Sequence, residues 1–196
     1  MGITVIAVSI VLSSSPIQIE VQVPHTTFRA GEVVRVELSA RNISQEPVVL
    51  AKAIWDGAPA ASARGILSSG GKELTFDGKS SLPLVQVMVS DRVDKSRFVT
   101  IQPSQSVVLY WTEIEQVYDF GSSTTRMKAD YARATKHKLK PGKYKFTASY
   151  SFDRDAMAKS MKREWNRQIS FEPGAEKLWK SALVLNISGT KQFEVK

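Results

Sequence analysis

Residues 17–23 alternate apolar and polar side chains without a break, Ile-Gln-Ile-Glu-Val-Gln-Val, and Pro24 ends the run. A period of two places every second side chain on one face of an extended strand, so this segment reads as a strand with one buried and one wet face. The pattern returns at Val34, Val36 and Leu38 after the Ala30-Gly31 turn, and again at Tyr144, Phe146, Ala148 and Tyr150. Further strand candidates lie at 47–54, 73–76, 82–89, 97–101 and 106–112, separated by Gly, Pro, Asn and Asp. Residues 179–187 and 192–195 read as closing strands joined through Ser188-Gly189, and 58–71, rich in Ala, Ser and Gly, as a long loop with at most a short strand. Short strands at such intervals predict an all-β, antiparallel sandwich of about seven to nine strands.

Two segments break the pattern. Residues 126–140 have few β-branched residues and no alternation, and read as a loop with helical turns inside a basic insertion at about 113–140. After residue 152, Asp153 is a suitable helix N-cap, and Met157, Met161 and Trp165 recur every fourth residue, the spacing of one helix face. One helix is therefore expected at about 153–168, stopped by Glu172-Pro173-Gly174 and followed by the last strands.

The N-terminus carries a ten-residue apolar run, 3–12, ending in Ser13-Ser14-Ser15. Its length suits a signal-peptide core and falls well short of the ~20 residues that span a bilayer. A basic leader is missing and Pro16 follows the serines. Two readings stand: residues 1–15 are a signal peptide and the protein is extracytoplasmic, periplasmic or secreted, or they are a first strand and the protein is cytoplasmic. Residues 16–196 form a single domain in either case.

The segment Phe28-Arg-Ala-Gly-Glu32, followed by the alternating strand to Asn42-Ile-Ser44 and by Pro47-Val-Val-Leu50, resembles a pattern widespread in bacterial immunoglobulin-like sandwiches. Leu139-Lys-Pro-Gly-Lys-Tyr144, leading into the next strand, is similar to the tyrosine corner of those folds, in which the phenol bonds upstream backbone. The first segment also resembles the intracellular proteinase inhibitor family of bacilli. The order of both resembles the sandwich that precedes the catalytic domain of deuterolysin-type metalloproteases. These resemblances imply an Ig-like fold and, for the inhibitor family, an exposed inhibitory loop. The chain has no His-Glu-x-x-His motif, so none implies peptidase activity.

The chemistry available is narrow. There are no cysteines, which removes disulfide scaffolds, thiolate metal sites and thiol nucleophiles. The two histidines, His25 and His137, are too few for a multi-histidine metal centre, and neither has a partner visible in the sequence. Ser69-Gly-Gly-Lys72 matches Ser-x-x-Lys without the other motifs of serine acylases, so it reads as a Gly-rich turn. The P-loop-like run ending at Lys72 is followed by Glu73, where magnesium binding needs Ser or Thr. Glu113 with Glu115 and Asp91 with Asp94 read as solubilising edge and turn residues, and Asn42-Ile-Ser44 and Asn186-Ile-Ser188 as formal glycosylation acceptors. The chain is expected to be non-enzymatic, without cofactor or metal.

The charge is concentrated. Of a net +8, residues 126–167 hold thirteen Lys or Arg against four acids, and the rest of the chain is close to neutral. Arg126, Lys128, Arg133, Lys136, Lys138, Lys140, Lys159, Lys162, Arg163 and Arg167 are the candidates for contact with an anionic partner. Such a density attracts phosphates, anionic lipids or acidic proteins, or simply solvates a face. The expected role is a binding or accessory module with a protein or cell-surface partner. The alternatives are a proteinase inhibitor and a binder of anionic surfaces, a membrane ahead of nucleic acid.

Overall fold

A computed structural model describes residues 15–53, 61–81, 92–119, 134–166 and 168–196. The apolar run 3–12, the strand expected at 82–89, Asp91, Arg126, Lys128, Arg133 and Arg167 lie outside the described residues, as does the side chain of Trp165.

Numbered in chain order, β1 (Ile17–Gln22), β3 (Val34–Asn42) and β10 (Ser106–Ile114) form one antiparallel sheet with β3 in the middle. A second sheet of five runs β2 (Thr27–Phe28), β15 (Leu185–Val195), β13 (Gly142–Phe152), β5 (Ser62–Ser69) and β6 (Lys72–Leu74). Its pairings are antiparallel except at β2, where Thr27 and Phe28 join Glu194 and Val195 in parallel. Smaller pairs surround these: β4 (Val48–Ala51) with β9 (Phe98–Ile101), and β11 (Gln116–Asp119) between β7 (Phe76–Asp77) and β12 (Thr135–His137). The last is a parallel pair, β8 (Arg92–Val93) with β14 (Ser170–Phe171). Of the fifteen described strands, nine have four residues or more and form the body expected from the sequence; the other six are fragments of two or three residues. Two helices stand among the described residues, α1 (Arg154–Trp165) and α2 (Ala175–Ser181).

The alternation read from the sequence is what fills the space between the sheets. Ile17, Ile19 and Val21 of β1, and Val34, Val36, Leu38 and Ala40 of β3, are buried. They face the layer carrying Phe146, Ala148, Tyr150 and Phe152 of β13, each fully buried. Each large side chain so placed contributes about 1.5–3 kcal/mol relative to exposure. The Tyr150 hydroxyl donates to the Ala51 carbonyl at 2.6 Å, joining β13 to β4, and burial pushes that phenol far above its ordinary pKa. Among the described residues no helix is long and apolar enough to cross a membrane.

The corner expected at residues 139–144 is present. The Tyr144 hydroxyl donates to the Lys140 carbonyl at 2.8 Å, and its ring stacks on Phe193 at 5.5 Å. Tyr144→Phe keeps the ring and removes one hydrogen bond, so it should cost about 0.5–1.5 kcal/mol, a drop of a few degrees in melting temperature. Calorimetry of the two proteins checks this, and an unchanged melting point would reduce the corner to packing alone.

Four local expectations are corrected. Residues 62–69, read mostly as loop, form the eight-residue β5. Its Gly65 lies beneath the Phe146 ring, where a Cβ would stand 2.3 Å from Cζ and 3.0 Å from the Tyr110 hydroxyl of the opposite sheet. Close approach, not β-propensity, selects that residue. Residues 179–181, read as the start of a strand, instead end α2, so two helices are found where one was expected. Ser188-Gly189 does not join two strands, because β15 runs straight through it. Within 126–140, residues 135–137 pair with β11 as a strand.

Candidate functional site

Strand β13 decides where the basic stretch goes. Eleven extended residues cover about 35 Å, so the cations before it and in its first residues lie at one end of the sandwich and those of α1 at the other. At the first end, Lys136 is bonded to Asp77 at 2.7 Å and sits 5.0 Å from the Tyr118 ring. Those two contacts, Asp77 first, raise its pKa above that of an ordinary lysine. Lys138 donates to the Gly31 carbonyl at 3.3 Å, while Lys140 is exposed beside the tyrosine corner. At the second end Lys159, Lys162 and Arg163 are exposed on α1. The structure thus brings Lys159, Lys162 and Arg163 together and separates them from Lys136, Lys138 and Lys140.

The helical end is built from local signals. The Asp153 carboxylate accepts from the backbone of Asp155 and Ala156, both at 3.0 Å, and starts α1; Asn166, with φ 50°, closes it. Met161 is buried and Met157 packs on the core, which turns the cations outward. On α2, Ala175, Leu178, Trp179 and Ala182 follow helical spacing. Trp179 is buried edge-on to Phe152 at 5.3 Å and near Phe171 at 5.8 Å. One guanidinium nitrogen of Arg154 donates to the carbonyls of Lys180 and Ala182, each at 2.8 Å. The first residue of α1 thereby satisfies carbonyls that the end of α2 leaves open.

Between the helices lies a groove of about 440 Å³. Ala158, Ile169, Phe171 and Trp179 line it with apolar surface; Arg154, Lys162 and Lys180 set cations around it against the carboxylate of Asp155. Lys180 also pairs with Glu176 at 2.7 Å. An apolar pocket of this size with a few charged groups is the usual form of a binding site. A second, larger and more polar groove of about 640 Å³ crosses the outer face of the five-stranded sheet near Lys143 and Lys145.

The other residues singled out by the sequence have structural roles. Ser69 opens the β5–β6 turn and donates to the Lys143 carbonyl at 2.8 Å. His25 does have a partner, Glu32 at 2.9 Å, and its ring lies tilted against Phe28 at 4.1 Å. The Glu32 carboxyl is held below its usual pKa, first by the Arg29 backbone N–H and then by His25. His137 also has one, Asp119 at 3.6 Å. Glu113 lies 3.6 Å from Arg35, and Asp94 caps a short 3-10 turn by accepting from Ser96. Asn42 is fully buried and its amide donates to Glu46 and Ile101, so in the folded protein it is no glycan acceptor; Asn186 is exposed on β15. Among the described residues no three His, Asp or Glu side chains stand close enough to hold a metal ion.

The sequence missed α2, and with it the groove. The i, i+3, i+4, i+7 spacing of Ala175, Leu178, Trp179 and Ala182 was the available signal. The chain matches no protein-family model and no curated protein.

Proposed function

We propose that this protein is a non-enzymatic, extracytoplasmic binding module of the Ig-like sandwich type that docks an acidic protein or cell-surface partner at its helical end. The observation that carries this reading is the groove between α1 and α2, with its floor of Ile169, Phe171 and Trp179 and its rim of Arg154, Lys162 and Lys180. The floor offers non-directional affinity through apolar burial, and the rim selects for negative charge and speeds encounter. Lys159 and Arg163 extend the positive field along α1. The Tyr144 corner supports the Ig-like part of the reading, and the apolar run 3–12 supports export.

The test uses an amphipathic peptide of alternating Glu and Phe, with vesicles of phosphatidylglycerol as the second probe. The parent is expected to bind the peptide, less tightly as salt rises. Reversing Lys159, Lys162 and Arg163 to Glu should weaken binding about tenfold or more while leaving the melting temperature near its parent value, because exposed charges contribute little to stability. No binding to the peptide, or equal binding by the reversed variant, overturns the reading. Binding to vesicles in preference to the peptide replaces it with a membrane-surface role.

A further inference from the structure

We infer that the groove across the outer face of the five-stranded sheet is a binding site for an acidic polysaccharide chain, one bearing uronate carboxylates. Its lining passes from Thr26 and Thr27 at β2, over β15 and β13, to Ser68, Ser69 and the Gly70-Gly71 turn. Neighbouring strands are about 4.8 Å apart, so the groove crosses four of them over roughly 15 Å and suits an extended chain better than a compact small molecule.

The register sets the donors and acceptors. Lys145 stands directly between Ser68 of β5 and Gln192 of β15, with no carboxylate opposite it on either strand. Lys143, two residues away and on the same face, is opposite Glu194, whose carboxylate also lies 3.8 Å from the Lys196 ammonium. The Ser68 and Ser69 hydroxyls already donate to the carbonyls of Lys145 and Lys143, at 3.3 and 2.8 Å. Each keeps lone pairs to offer and no proton. The lysines offer protons and no lone pairs. The ligand that answers both needs hydroxyl donors beside anionic acceptors, which describes a sugar acid.

One further feature weighs against a nucleic acid, and a second leaves room for the chain. The aromatic residues along the groove, Tyr144 and Phe193, are buried and stacked on each other, so neither is presented for bases to stack on. At the turn, Gly70 and Gly71 adopt φ 57° and 79°, and a Cβ on either would meet nothing within 4 Å. The backbone there is open to the approach of a chain laid across the strands.

Titration calorimetry with tetragalacturonate, its fully methyl-esterified form and inorganic polyphosphate tests the site. The parent should bind tetragalacturonate, and esterification, which removes the charge and leaves the ring hydroxyls, should weaken binding about tenfold or more. Lys145→Glu should do the same with an unchanged melting temperature, and Gln192→Glu, which sets a carboxylate beside the ammonium, should weaken it as well. Lys162→Glu, at the opposite end, should leave glycan binding unaltered. Absence of tetragalacturonate binding, equal affinity for the ester, indifference to Lys145→Glu, or tighter binding of polyphosphate overturns the inference. None of these results touches the helical-end reading, which has its own variants and probes.

Discussion

Asn42→Asp is expected to destabilise the protein by about 3–5 kcal/mol at neutral pH, the penalty of an uncompensated buried charge. The Asn42 amide nitrogen donates to the carbonyls of Glu46 at 2.7 Å and Ile101 at 2.9 Å, and its side-chain oxygen accepts from the backbone and hydroxyl of Ser44. Its own backbone is bonded to residues 104 and 105. A carboxylate in that place turns two attractions into repulsions between oxygens, in a site with no exposure to water. Protonation restores one donor. The introduced carboxyl therefore has a folded-state pKa raised above its unfolded value of about 3.9. Stability should be greatest below that unfolded value and should fall as pH rises through the folded one. Asn42→Ala, with nothing to titrate, should lose stability without this acid recovery. Urea denaturation of both variants across pH separates them, and a pH-independent loss in Asn42→Asp would contradict this expectation.

Phe146→Ala should have an effect of comparable size, about 3–5 kcal/mol and a melting temperature lower by roughly 6–20 °C. The ring is fully buried between Gly65 on one side and Phe76, whose centroid is 5.9 Å away. Glycine has no side chain to lean into the vacated space, so the cavity stays open. The same geometry predicts non-additivity in a double-mutant cycle. Gly65→Ala alone forces a methyl against the ring, whereas in the Phe146→Ala background that methyl enters the cavity. The two substitutions together should cost less than the sum of their separate costs, and simple additivity would show that the contact is not as close as described.

These residues also show which parts of the fold the sequence made legible. The inward faces of β1, β3 and β13 were readable because apolar residues recur at every second position, as in Tyr144, Phe146, Ala148 and Tyr150. The cap at Asp153 and the corner at Tyr144 were readable because each is a short-range rule satisfied by neighbours in sequence. Strand β5 was not, because its inward run of Ala63, Gly65 and Leu67 is interrupted by a glycine, required there by an aromatic ring some eighty residues later in the chain. Helix α2 was hidden for another reason: Trp179 and the aliphatic residues after it look like a strand until Ala175 and Ala182 are counted as part of the same stripe. Of the candidate site, the cations were visible as a count. Their division between two ends follows from the length of β13 and became apparent only with the fold.

The parallel attachment of β2 to β15 has a kinetic consequence. A few strand pairs are formed by segments that meet early, as β1 meets β3 and β5 meets β6. The Thr27–Glu194 and Phe28–Val195 pairs join segments from nearly opposite ends of the described chain, and Ala30 adds a bond to the Lys196 carbonyl. Closing so long a loop gives no return in contacts until both partners have arrived, which places this protein among the slow, topology-limited folders. During synthesis the edge of the sheet that β15 will cover stays open until that strand emerges from the ribosome. In that interval the backbone edge of β13 lacks its partner strand, and the nascent chain is at its most prone to association.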